Sequence, residues 1–178
     1  FHSPDFYFIL YKAKIIDSLH LCKHLKQDYS LSLQILCQNE IYMKKYPCVL
    51  SIAGSDCSGG AGIQADLKTI SALGGYAATA ITAITVQNTL GVRAIHPVPP
   101  VYVRGQIEAV MEDIRPDAVK IGMINDVEIV KTLASCLRTY RPRFVVFDPV
   151  MVSTSGHRLI EEDAISALTR ELMPLASL

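Results

Sequence analysis

Cys48-Val49-Leu50-Ser51-Ile52-Ala53-Gly54-Ser55-Asp56-Cys57-Ser58-Gly59-Gly60-Ala61-Gly62-Ile63-Gln64-Ala65-Asp66-Leu67-Lys68-Thr69-Ile70-Ser71-Ala72-Leu73-Gly74-Gly75 is the stretch on which the fold turns. Residues 48–53 form a short apolar run that meets a glycine, the pattern of a buried strand. Residues 54–60 are rich in turn formers. From Ala61 to Leu73 the apolar residues Ile63, Leu67, Ile70 and Leu73 recur at helical spacing. Gly74-Gly75 then supplies the glycine expected just past a helix C-terminus. A buried strand, a glycine loop and a helix in this order make one βα unit.

The same alternation continues downstream. Thr79 to Val86 is rich in Ile, Thr and Val and reads as a strand, and Val92 to Ile95 as a short one. Val101 to Ile114 reads as a helix with Pro99-Pro100 near its start. Ala118 to Ile121 is a strand, Asp126 to Tyr140 a helix capped by Asn125, Phe144 to Phe147 a strand and Glu161 to Leu172 a helix. Pro174 to Leu178 has the look of a lead-in to another strand. Strands alternating with helices predict a mostly parallel sheet covered on both faces, and continuous apolar strands agree, since parallel strands are buried on both sides. The pattern breaks off where the next strand is due, so truncation at the C-terminus is expected.

Upstream the character differs. Residues 1–42 contain no glycine and one proline, and Met43 is the first methionine, followed by Lys44-Lys45 and the apolar run. Met43 reads as a natural start and 1–42 as a leader outside the fold. The alternative is a true N-terminal helix over Ile15 to Leu25.

Composition narrows the function classes. Half of the 178 residues are hydrophobic and 19% are charged, with seventeen basic against seventeen acidic side chains. Without a basic excess, neither nucleic acid nor an anionic membrane is expected as partner. The longest apolar stretch, Tyr76 to Val86, is shorter than the roughly 20 residues needed to span a bilayer. The first residues lack a basic n-region and a small-residue cleavage site. Five cysteines (Cys22, Cys37, Cys48, Cys57 and Cys136) with no CxxC pair fit reduced thiols in a cytoplasmic protein.

In open α/β sheets ligands bind beyond the carboxyl ends of the strands, and those ends carry the unusual residues here: the glycine loop, Gln87-Asn88-Thr89, Lys120 with Gly122-Met123, and Asp148-Pro149-Val150-Met151. Ordinary strand–helix turns favour the same residue types. The glycine loop lets backbone N–H groups approach a ligand closely. It is not a Walker A loop, because Gly60 stands where lysine is required. It matches a relaxed dinucleotide fingerprint at Gly60, Gly62 and Ala65, but no Asp or Glu lies between Asp66 and Glu108 to hold a ribose, which sets NAD aside. Asp66 is either a water-facing carboxylate near a helix N-terminus or an acceptor for a ligand hydroxyl. Gln87 offers an amide that pairs with an aminopyrimidine edge, or a loop amide bonded to its own backbone. Met123 and Val150 either sandwich a flat ring or cap the core. Asp148 orients a cation or substrate, or caps its turn. Lys120 is a pocket charge or an exposed strand end.

Residues 52–69, Ala83-Ile84-Thr85-Val86-Gln87-Asn88-Thr89, Lys120-Ile121-Gly122-Met123 and Asp148-Pro149-Val150-Met151 together resemble the hydroxymethylpyrimidine/phosphomethylpyrimidine kinases of thiamine biosynthesis. The resemblance covers 43–178. It implies the N-terminal part of a ribokinase-like three-layer αβα sandwich. The implied activity is Mg-ATP-dependent phosphorylation of 4-amino-5-hydroxymethyl-2-methylpyrimidine and then of its monophosphate. It also implies that Gln87 pairs with the aminopyrimidine and that Gly54, Ala61, Asp66, Met123 and Val150 line the pocket. In that family a Gly-Thr-Gly-Cys-like anion hole, with the cysteine that activates the substrate hydroxyl, and most of the ATP site lie in the C-terminal part. No catalytic residue is therefore expected before Leu178, and the chain alone is expected to be inactive and marginally stable. Cofactors on this reading are ATP and Mg2+. Ribokinase-like enzymes often associate, which leaves a homodimer open for the full-length protein. A pyridoxal kinase-like enzyme and a non-catalytic pyrimidine-binding module are the rival readings.

Overall fold

A computed structural model describes residues 46–124, 126–149 and 162–178. The expected leader, the alternative helix over Ile15 to Leu25, and Val150 and Met151 lie outside the described residues. The chain runs β1 (Cys48–Ala53), α1 (Gly62–Ala72), β2 (Tyr76–Ile81), β3 (Ala83–Asn88), β4 (Gly91–Pro97), α2 (Pro100–Asp113), β5 (Ala118–Ile121), α3 (Val127–Tyr140), β6 (Phe144–Phe147) and α4 (Glu162–Ala167). The last helix widens into a π-helical segment, Leu168–Leu172, and closes with a 3-10 turn, Met173–Leu175.

Four strands form a parallel sheet in the order β2-β1-β5-β6. The register sets the chemistry of its two faces, because side chains alternate along each strand. Leu50, Val119 and Val145 share one level, and Ile52, Ala80 and Ile121 the next. With Val103, Ile107, Ile129, Val130, Leu133 and Leu168 from α2, α3 and the π segment they form the apolar core. The opposite face carries Ser51, Thr79 and Lys120 at one level, and α1 lies against it. Helices therefore cover both faces, as the strand–helix alternation predicts.

From β1 the chain moves outward to β2, and from β5 it moves the other way to β6. The connections diverge between β1 and β5, and a crevice is expected above their carboxyl ends.

Local chemistry explains most element ends. Gly74 follows α1 at φ +79, and the N–H groups of Gly74 and Gly75 bond to Ser71 and Ile70 carbonyls at 3.0 and 2.8 Å. This is the left-handed closure that glycine permits. The N-cap of α3 is Asp126, not the expected Asn125: its Oδ1 accepts from the N–H groups of Glu128 and Ile129 at 2.6 and 3.2 Å. Asn125 itself lies outside the described residues.

The expected single strand from Thr79 to Val86 is two strands. At Thr82 the chain leaves the parallel sheet, and β3 pairs antiparallel with β4 in a separate hairpin. Thr82 is buried and tied on three sides: its N–H donates to the Ala53 carbonyl (3.0 Å), its Oγ1 to the Met123 carbonyl (3.0 Å), and its own carbonyl accepts from Val98 (2.9 Å). At the other end of the chain the expected lead-in meets the outer edge of β6, where Ser177 N–H donates to the Val145 carbonyl and Phe147 N–H to the Leu178 carbonyl.

Candidate active site

The glycine loop after β1 is organised by a side chain to which sequence reasoning gave no role. Asp56 is 2% exposed. Its Oδ1 accepts from the N–H and Oγ of Ser58 at 2.9 and 2.7 Å, and its Oδ2 from the N–H groups of Gly60 and Ala61 at 2.9 and 2.8 Å. Its own N–H donates to Gln64 Oε1 at 2.7 Å. Burial pushes the carboxyl pKa up, but the bonds from Ser58, Gly60 and Ala61 outweigh it and hold it below the usual value. The amides of Ser58, Gly60 and Ala61 thus already bond a carboxylate of the chain itself, which corrects the expectation that loop N–H groups are open to a ligand. An aspartate two residues before serine in a glycine-rich turn is the available sequence signal, since Asp readily bonds backbone N–H groups just ahead of it.

Gly62 opens α1 at φ +56, and a Cβ there would collide with the Gly54 carbonyl. The same carbonyl accepts from Ile63 N–H at 3.0 Å. Gly54 in turn faces β5: a Cβ on it would lie 2.5 Å from Met123 Cε. Two of the expected pocket residues, one from the end of β1 and one from the turn after β5, are therefore in direct apposition at the point where the sheet connections diverge. Ala61 is exposed beside them at the N-cap of α1.

Gln87 reaches this rim by another route than expected. It lies on β3, outside the parallel sheet, at a register shift between Val86 and Gln87. The glycine loop holds β3 through Ser55 and Cys57. Thr85 Oγ1 donates to the Ser55 carbonyl at 2.7 Å, Cys57 Sγ donates to the Gln87 carbonyl at 3.0 Å, and Gln87 N–H reaches Cys57 Sγ at 3.4 Å. The Gln87 Oε1 lies 3.3 Å from Thr85 Oγ1, whose one proton is donated to the Ser55 carbonyl. The Gln87 Nε2 makes no hydrogen bond among the described residues.

Asp66 neither faces water nor stands alone. One turn into α1 it points at the sheet, where Lys120 Nζ lies 3.1 and 3.0 Å from its two oxygens and Ser51 Oγ donates to Oδ2 at 2.5 Å. Lys120 is accordingly not an exposed strand end. Asp148 is exposed at the end of β6, its N–H bonded to the Ile121 carbonyl at 2.9 Å.

Among the described residues no group of three His, Cys, Asp or Glu side chains is placed to hold a metal ion, and the N–H groups of Ser58, Gly60 and Ala61 are bonded to Asp56. Those three amides are therefore not open to a phosphate of ATP, and no step is routed through ATP or Mg2+. No helix among them is long and apolar enough to cross a membrane. A cleft of about 470 Å³, bordered by Leu137, Arg141, Val145 and Leu175, opens toward the amino end of β6, away from this rim.

A parallel sheet with helices on both faces, an antiparallel hairpin leaving it and a glycine loop at the divergence of its connections define a ribokinase-like small-molecule kinase fold. The solved structures it resembles are kinases. Phosphomethylpyrimidine kinase from Clostridium difficile is 52% identical with a TM-score of 0.70, over 74% of this chain and 57% of that one. Pyridoxal kinase from Staphylococcus aureus in complex with AMP-PCP is 36% identical with a TM-score of 0.65, over 74% and 47%. Residues 56–178 match the phosphomethylpyrimidine kinase family, and the chain belongs to it. A hydroxymethylpyrimidine/phosphomethylpyrimidine kinase from Rhizobium meliloti is 57% identical over 127 residues, 71% of this chain and 47% of that protein. The chain spans about a quarter to a half of the length of the curated relatives it matches.

Proposed function

We propose that the chain is the pyrimidine-binding part of a kinase that phosphorylates the hydroxymethyl group of 4-amino-5-hydroxymethyl-2-methylpyrimidine, and then its monophosphate, in thiamine biosynthesis. The observation that carries this reading is the meeting of Gly54, Met123 and the Cys57-anchored Gln87 at one rim. Among the described residues the Gln87 amide donors are unengaged, suited to a ring nitrogen, with the side-chain carbonyl oxygen suited to an exocyclic amine. Gly54 and Met123 supply an apolar wall suited to a flat ring. Asp66 Oδ1 accepts one bond from Lys120 and retains acceptor capacity for the substrate hydroxyl.

ATP and Mg2+ are the co-substrates on this reading, supported by the AMP-PCP complex of the Staphylococcus aureus enzyme. Their site is placed outside the described residues. Phosphoryl transfer needs positioned donors for developing negative charge. The glycine-loop amides already bond Asp56, so we expect residues 1–178 to bind the pyrimidine without turning it over.

The test follows ATP-dependent phosphorylation of the hydroxymethylpyrimidine, with pyridoxal as competitor, in the natural reading frame continued past Leu178 and in residues 1–178 as control. Turnover in the longer protein, resistant to pyridoxal and absent from the control, supports the reading. Preferential use of pyridoxal would move the substrate to the pyridoxal kinase class. Binding with no turnover in either would favour a non-catalytic module.

A further inference from the structure

The face of the sheet beneath α1 holds an ion pair at the level where the opposite face holds only apolar groups. Ser51 is fully buried, and the side chains of Asp66 and Lys120 are 18% and 24% exposed. Both Asp66 oxygens are engaged by the ammonium, and Ser51 takes a second position on Oδ2. The remaining direction at Oδ1 is thereby fixed. Lys120 is fixed too: a Cβ on Gly122 would lie 3.0 Å from Nζ and 3.0 Å from Ala53 Cβ, so the ammonium is packed under the turn that leads to Met123.

From this geometry we propose that Lys120 is a positioning residue for substrate selection. It holds the Asp66 carboxylate in one orientation, so that Oδ1 presents one acceptor to the substrate's hydroxyl. It also cancels the carboxylate's charge, so that the pocket floor suits a neutral alcohol. Lys120 acts through Asp66 and touches no substrate atom itself. The inference rests on the reading of Asp66 as a hydroxyl acceptor.

The test compares binding of 4-amino-5-hydroxymethyl-2-methylpyrimidine with 4-amino-2,5-dimethylpyrimidine, which lacks the hydroxyl, by calorimetry on the chain. The wild type is expected to prefer the alcohol by about tenfold, the value of one charge-assisted hydrogen bond. Lys120→Met is expected to bring the ratio close to one while the dimethyl compound still binds. A purely structural role would weaken both ligands together and leave the ratio intact, which would overturn the proposal. Should Lys120→Met fail to fold, Lys120→Gln leaves an amide donor for Asp66 and removes the charge. It is expected to reduce the preference by about threefold, and an unchanged ratio there would equally overturn it. A wild-type chain that binds neither pyrimidine would refute the site reading itself, whereas a preference that survives the variants refutes Lys120 alone.

Discussion

Replacing Asp56 with alanine removes the acceptor for four hydrogen bonds. A bond to a charged group contributes about 1.5–3 kcal/mol, so a simple sum would be large. The loop is partly open, however, with Cys57, Ser58 and Gly60 to Ala61 at or near the surface, so water can take over part of what the carboxylate held. A net loss of about 2–4 kcal/mol is expected, or roughly 10 °C in melting temperature for a domain of this size. Asp56→Asn is the sharper variant. It is nearly isosteric, yet turns one acceptor into a donor facing N–H groups, and should lose at least half as much. The carboxyl pKa is lowered in the folded chain, so its contribution is present above the unfolded value of about 3.9 and fades as pH falls through the folded value. Urea unfolding from pH 7 to pH 3 should thus show a full gap between wild type and Asp56→Ala above about pH 5, closing below about pH 4. An alanine variant as stable as wild type at pH 7, or a gap unchanged down to pH 3, would refute the reasoning.

Gly62→Ala places a Cβ against the Gly54 carbonyl at a left-handed backbone position; a loss of at least about 2 kcal/mol is expected from thermal melts. Gly54→Ala meets only the flexible end of Met123 within 3 Å, so stability should change by less than about 1 kcal/mol while calorimetry shows weakened pyrimidine binding. Gln87→Leu should leave the melt within about 1 kcal/mol of wild type, since among the described residues its amide has one long contact, to Thr85 Oγ1, and should reduce pyrimidine affinity by about tenfold or more. Thr82→Val deletes the bond from the buried Thr82 Oγ1 to the Met123 carbonyl, for a loss of about 1–2 kcal/mol.

How much of this was legible beforehand divides along physical lines. β1, β5 and β6 are short unbroken apolar runs, and burial on both faces writes itself into such sequences. The α1 boundary was legible because Gly74 is a local stop signal. The break at Thr82 was not, since no glycine or proline marks it; it is made by Ala53, Val98 and Met123, which belong to other parts of the chain. The cap of α3 fell on Asp126 where the sequence offered two adjacent residues of nearly equal capping preference. Gly54 and Met123 were expected in one pocket by resemblance, and their apposition needed the fold. The pairing of Asp66 with Lys120 joins residues 54 positions apart and had no local signature. Asp56 had one, in its spacing to Ser58 and the glycines, and it was overlooked because the glycines themselves drew the attention.

The unequal anchoring of the helices bears on how the protein breathes. α3 sinks Ile129, Val130, Leu133, Ala134, Cys136 and Leu137 into the apolar core, whereas α1 has Ile63 as its buried residue. Amide exchange should therefore proceed through a local opening of α1 at a small fraction of the free energy that unfolds the domain. The glycine loop and Asp66 travel with that helix, so the floor of the proposed pocket can melt and re-form while the sheet behind it stays intact.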